Sequence, residues 1–175
     1  MSLRASAALT ASLLTLAPAA LAAVPATAGG ISWTVPARWT AGAGSSMRVA
    51  TYVIPAAKGS GSGECAVFFF GPGQGGGIDD NVARWAKQFE GAPAPKSTAS
   101  TVAGIRVTRA EVAGTYLAPG GPMMQSTGKK TGYRLLGAIV EAPGGNVFFK
   151  LTGPAATVAA AQAELDALVA SIRRK

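Results

Sequence analysis

Residues 65–70 read Cys-Ala-Val-Phe-Phe-Phe, apolar at every position. Side chains alternate between the two faces of a strand, so this segment has no polar face to turn toward water. It belongs in the middle of a sheet covered on both sides, or covered on one side and overlain by loops on the other. The run Gly-Pro-Gly-Gln-Gly-Gly-Gly at 71–77 ends it abruptly.

Outward from that strand, periodicity predicts the other elements. Ile31, Trp33 and Val35 alternate with Ser32 and Thr34, and Pro36 closes the run. Residues 47–54 read as a second strand, and 58–63 as a Gly/Ser connection. After the glycines, Ile78, Val82, Trp85 and Phe89 form one helical stripe, with Asp79 or Asp80 as cap and Gly91 as stop. Residues 92–100 read as a loop. Residues 101–117 alternate as one long strand or two short ones, broken at Gly104 or Gly114. Residues 118–131 read as irregular, and 133–141 with 147–151 as a hairpin around Pro143-Gly144-Gly145. Pro154 opens a last helix whose stripe is Val158, Leu165, Leu168, Val169 and Ile172. Hairpin-linked strands with two helices predict an α+β domain, an antiparallel sheet with helices packed against it.

The N-terminus predicts export. Arg4 precedes an apolar run carrying Leu9, Leu13, Leu14 and Leu16, Pro18 breaks it, and Ala20-Leu21-Ala22 supplies a cleavage site. Residues 1–22 are therefore expected to be a cleaved signal peptide, 23–30 a flexible leader, and 31–175 a single α+β domain. A periplasmic or extracellular location follows, with no integral membrane anchor after cleavage.

Absent residues narrow the chemistry. No histidine occurs, which removes the commonest general base and zinc ligand together. The expectation is no catalytic residues, no metal and no cofactor. Cys65 is the single cysteine, so no internal disulfide forms, and its apolar context predicts burial rather than reactivity. The net charge of +8 invites anionic partners. The basic residues are scattered, however, and export fits poorly with nucleic acid, which is set aside as a partner.

Four features merit a functional reading. The glycine loop, with Gly75 and Gly76, precedes a helix start, where backbone N–H groups can cradle phosphate. Asp79 and Asp80 stand where a phosphate loop needs Lys and Ser or Thr, so a turn with a helix cap is the better reading. The stretch also resembles a calcium loop faintly, but Asp79, Asp80 and Asn81 offer too few oxygens, and the turn with a helix cap is again the better reading. Glu64, Glu111 and Glu141 lie on or beside strands, where two carboxylates can meet in space as in a hydrolase. Solvent-facing strand residues are the plainer account. Finally, Met123 and Met124, with Lys129 and Lys130 nearby, offer adaptable apolar and cationic groups on a loop.

Trp33-Thr34-Val35-Pro36 with Trp39, followed by paired strands, resembles the opening of the PsbP/DcrB-like (Mog/PsbP-type) superfamily. The ending is similar too: Val147 through Pro154, then a helix closing on Leu168-Val169-Ala170-Ser171-Ile172. The glycine run with Asn81, Arg84-Trp85 and Gln88-Phe89 resembles uncharacterised exported bacterial proteins of that group. The resemblance implies a twisted antiparallel β-sheet flanked by two main α-helices, and non-enzymatic accessory or binding roles. None of the metal-binding or photosystem-docking residues of plant PsbP is matched. The expected function is an exported, non-enzymatic accessory protein binding a protein or envelope component. A carboxylate-dependent hydrolase and a binder of anionic glycan or lipid are the alternatives.

Overall fold

The computed structural model describes residues 25–119 and 126–175. The expected signal peptide lies outside the described residues, as do Met123 and Met124. In chain order the elements are β1 (Pro25–Ala28), β2 (Ile31–Thr34), β3 (Thr40–Ala41), β4 (Ala50–Ile54), β5 (Gly63–Phe69), α1 (Ile78–Ala86), β6 (Lys96–Val102), β7 (Ile105–Pro119), β8 (Ser126–Ala142), β9 (Gly145–Pro154), α2 (Ala155–Ala170) and β10 (Arg173–Arg174). Seven strands form one antiparallel sheet in the order β3-β4-β5-β9-β8-β7-β6. A small sheet, β1-β2-β10, lies apart from it. The predicted α+β class, an antiparallel sheet with two helices, is what the chain forms.

The glycine run lets the chain leave β5 and cross through α1 to the far edge at β6. It then returns strand by strand until β9 pairs with β5. Alternation along β9 divides the core. Val147, Phe149 and Leu151 point to one face, with Cys65 and Val67 of β5 and Leu136, Ala138 and Val140 of β8. That face is covered by α2, through Val158, Ala161, Leu165, Leu168 and Val169, and by Ile31 and Trp33 of β2. Trp33 meets Phe149 edge-on at a centroid distance of 5.0 Å. Each large side chain fully buried here contributes about 1.5–3 kcal/mol.

The opposite face is covered over part of its width. Val82, Trp85 and Ala86 of α1, with Phe89 just beyond it, pack on Ala110 and Val112 of β7, Leu135 and Ile139 of β8, and Phe148 of β9. Gly137 makes that approach possible: a Cβ there would lie 2.1 Å from Cζ3 of Trp85. Toward β5 and β4 the helix cover stops. Val53 and Phe70 keep 38% and 41% of their surface exposed. The two-sided apolar strand is thus roofed by α2's layer on one side and left partly open on the other.

Several expectations are corrected. Residues 25–28 form a strand rather than a flexible leader, because β2 needs a partner and Ala26 and Ala28 pack against the core. Residues 96–102 form edge strand β6 rather than a loop. Its Ser and Thr side chains face solvent, but its backbone is paired to β7 throughout. Lys129 and Lys130 lie on β8 rather than in a loop, since β7 and β8 extend far beyond the expected hairpin. Gly104 lies in the turn that separates β6 from β7, and Gly114 marks a register shift within β7. Neither Asp79 nor Asp80 caps α1. Gly77 is the N-cap, without a side-chain cap hydrogen bond, and the helix ends at Ala86, ahead of Gly91. Among the described residues no helix is long and apolar enough to cross a membrane.

Candidate functional site

The glycine loop is tied down by its own helix. Asn81, buried, donates from Nδ2 to the carbonyls of Gly75 at 2.8 Å and Gly77 at 2.7 Å, and accepts from Nη1 of Arg84 at 3.2 Å. Gly75, at φ +91°, lies where a Cβ would strike the rings of Phe148 and Phe70. Asp79 and Asp80 occupy the first turn, where negative charge complements the helix dipole. These are packing and capping roles, and the sequence motif falls to its plainer reading.

The strand carboxylates do not gather. Glu64 pairs with Arg48 at 2.9 Å, Glu111 with Arg134 at 3.0 Å and Glu141 with Arg106 at 3.3 Å. Glu164 accepts from Arg38 at 2.7 Å and from the Trp39 indole at 2.9 Å. Asp166 pairs with Arg109, and Glu90 with Lys129. Among the described residues no group of three or more Cys, Asp or Glu side chains is placed to hold a metal. Cys65 is fully buried, and burial, then the nearby Glu64 charge, pushes its thiol up to about 12. It is a core residue, as its apolar context predicts.

Of several clefts large enough to hold a small molecule among the described residues, two are lined by more than one basic side chain. One, of about 500 Å³, lies between α2 and β6–β7. Its walls carry Arg109, paired with Asp166, and Glu111 and Gln162, which both hold Arg134. That is a structural ion-pair network.

The other, of about 410 Å³, sits on the sheet face that α1 leaves open. Lys150 of β9 rises from its floor. In the strand register Lys150 is flanked by Ala66 of β5 and Gly137 of β8, two small residues that leave room beside it. Its Nζ lies 3.3 Å from the Tyr116 hydroxyl and 5.5 Å from the centre of that ring. Tyr116 stacks on Tyr133 at 5.8 Å with the rings nearly parallel. At the rim, Lys130 lies over Tyr133 at 5.6 Å, and Arg48 over Phe68 at 5.7 Å. Thr152, two residues along the same face, has a buried hydroxyl oxygen with no hydrogen-bond partner among the described residues.

The electrostatics single out Lys150. Burial first, and the charge of Arg48 second, lower its pKa from 10.5 to about 8, with Glu64 pulling the other way. Burial, with the Glu64 charge next, raises Tyr116 to about 12, so the phenol stays protonated and can donate. Among the described residues no carboxylate stands within ion-pair distance of Lys150. A desolvated cation without a counter-ion is costly to keep, and such groups cluster where ligands bind.

Of the residues singled out in the sequence that are among the described residues, only Lys130 and Glu64 line this cleft. Sequence reasoning missed Lys150, Tyr116, Tyr133 and Thr152. The available signal was a lysine inside the apolar run 147–151, on the opposite strand face from Val147, Phe149 and Leu151.

No protein-family model matches the sequence, and comparison with curated proteins finds no match. Among solved structures, the chain is similar to cyanobacterial PsbP (CyanoP) from Synechocystis sp. PCC 6803. The TM-score is 0.54 over 93% of this chain and 99% of that one, at 12% sequence identity. A Pseudomonas aeruginosa protein of unknown function, described as a putative regulator, aligns with a TM-score of 0.49 over 87% of this chain and 97% of that one, at 14% identity. The likeness to CyanoP is one of fold, and the fold is PsbP-like.

Proposed function

We propose that this PsbP-like domain is an exported accessory protein of the cell envelope that acts by binding rather than turnover. Its working surface is the open half of the sheet, with the Lys150 cleft at the centre. One observation carries this reading: a lysine without a counter-ion among the described residues is held in the floor of a strand-lined cleft, on a sheet face that also leaves Val53 and Phe70 exposed. The N-terminal export pattern supplies the compartment. The missing histidine, and the pairing of Glu64, Glu111 and Glu141 with arginines, weigh against the hydrolase alternative.

The test has two parts. Expression of the full chain in a bacterial host, followed by fractionation and N-terminal sequencing, is expected to give envelope material beginning at Ala23. Cytoplasmic material beginning at Met1 contradicts export. Purified protein and its Lys150→Met variant are then used as matched baits on envelope extract, with a hydrolase screen in parallel. A component held by the wild type and released by the variant supports the binding surface. Turnover of any substrate that is lost in Glu64→Gln or Lys150→Met replaces binding with catalysis.

A further inference from the structure

We propose that the Lys150 cleft receives the carboxylate of a small, singly charged ligand with an apolar or aromatic body, held by Lys150, Tyr116 and Thr152. This rests on the reading of the open sheet face as the working surface and names the ligand class for it.

The charge balance inside the cleft points to an anion. Arg48, Lys130 and Lys150 line it, against one acid, Glu64. Arg48 is already neutralised by Glu64 at 2.9 Å. That leaves Lys150 at the floor and Lys130 at the rim to attract negative charge. An ammonium has three donors. Only the Tyr116 oxygen, at 3.3 Å, accepts from Lys150 among the described residues, so donors remain for a ligand.

Two neutral hydroxyls complete the receptor. Alternation places Thr152 on the same face as Lys150, about 7 Å along the strand, and both residues line the cleft. The Thr152 hydroxyl is buried and unpartnered, which costs free energy unless something accepts from it or donates to it. The Tyr116 phenol is the second donor.

Glu64 sets the charge limit. It lies directly across from Thr152 in the β5–β9 register. A second negative charge on the ligand would face this carboxylate, whose own charge Arg48 offsets in part, with no further unpaired cation at the cleft floor to balance it. A carboxylate is favoured over a phosphate dianion for that reason. The walls define the rest of the ligand. Stacked Tyr116 and Tyr133 on one side and Phe68 on the other offer ring faces, and the volume of about 410 Å³ suits a compact molecule.

Binding of an anion favours the ammonium form of Lys150, so it takes up protons at and above about pH 8 and weakens as pH rises through that value. The groups facing Lys150 that enter this balance are Arg48 and Glu64 across β5, Tyr116 of β7, and Lys130 and Tyr133 of β8.

The experiment is an NMR titration of the folded protein at pH 7 with benzoate, hexanoate, benzyl alcohol and inorganic phosphate as separate probes. Saturable shifts along β9 and at Tyr116 with benzoate or hexanoate are expected, with benzyl alcohol and phosphate at least about tenfold weaker. Lys150→Met, an uncharged side chain of similar length, is expected to weaken benzoate at least about tenfold. Thr152→Val, which keeps shape and folding, is expected to weaken it severalfold. Equal benzoate affinity in wild type and Lys150→Met overturns the proposal. Tighter phosphate than benzoate binding, or no saturable carboxylate binding, overturns it as well. The envelope-extract comparison judges the binding surface separately: Lys150-dependent capture that persists after carboxylates fail leaves that surface standing and removes only the ligand class.

Discussion

At Gly137 a single added methyl group would meet the Trp85 ring at 2.1 Å. Gly137→Ala is therefore expected to push α1 off the sheet and to cost about 1–3 kcal/mol, the usual range for overpacking, measured by urea unfolding. Cys65 offers the reverse case. It is sealed in the core with its thiol pushed up to about 12, so a thiol reagent at pH 8 should leave the folded protein unlabelled and label it fully in denaturant. Lys150 makes a prediction with a sign. Its folded pKa of about 8 lies below the ordinary value of 10.5. Between those values the unfolded chain holds a proton that the folded chain has released, so this group's contribution to stability rises with pH across that window. Below pH 8 both states are charged and the folded state bears the whole desolvation cost. Lys150→Met should accordingly be more stable than wild type at pH 7, with the gap shrinking toward pH 10.

Among the elements, the glycine loop and α1 act as one unit because Asn81 holds both. Asn81→Ala removes two hydrogen bonds to the carbonyls of Gly75 and Gly77, and a cost of about 1–3 kcal/mol is expected, with faster amide exchange over residues 71–77. The helices were legible in the sequence because each carries a stripe: Val82 and Trp85 on one, Val158, Leu165 and Leu168 on the other, and all are buried. The strands β2 and β9 were legible by alternation. Strand β6 was not, because Lys96 through Thr101 are exposed on both faces and only backbone pairing to β7 makes them a strand. The extension of β7 and β8 past Gly114 was hidden by glycines that look like breakers and act as a register shift. Lys150 was illegible as a site for a different reason. A strand lysine is ordinarily a solvated one, and its surroundings come from Ala66 and Gly137, brought beside it by pairing between strands distant in sequence.

On the scale of the whole molecule, one face of the seven-stranded sheet is roofed across its centre by α2 and the small sheet, and the other is roofed only where α1 packs. That asymmetry creates the cleft. The order of aromatic strand, glycine crossover and closing helix is enough to give the PsbP-like likeness in sequence, and the fold bears it out. A fold hosts many functions, so the site has to speak for itself. The site's distinguishing property is a largely buried lysine that has no counter-ion among the described residues. Titration of the Lys150 ammonium by ¹⁵N-edited NMR on the folded protein measures that property directly. A midpoint of about 8, moving upward when benzoate is added, is the expected result. A midpoint at the ordinary 10.5, indifferent to benzoate, would mean a solvated surface lysine and no ligand site on this face.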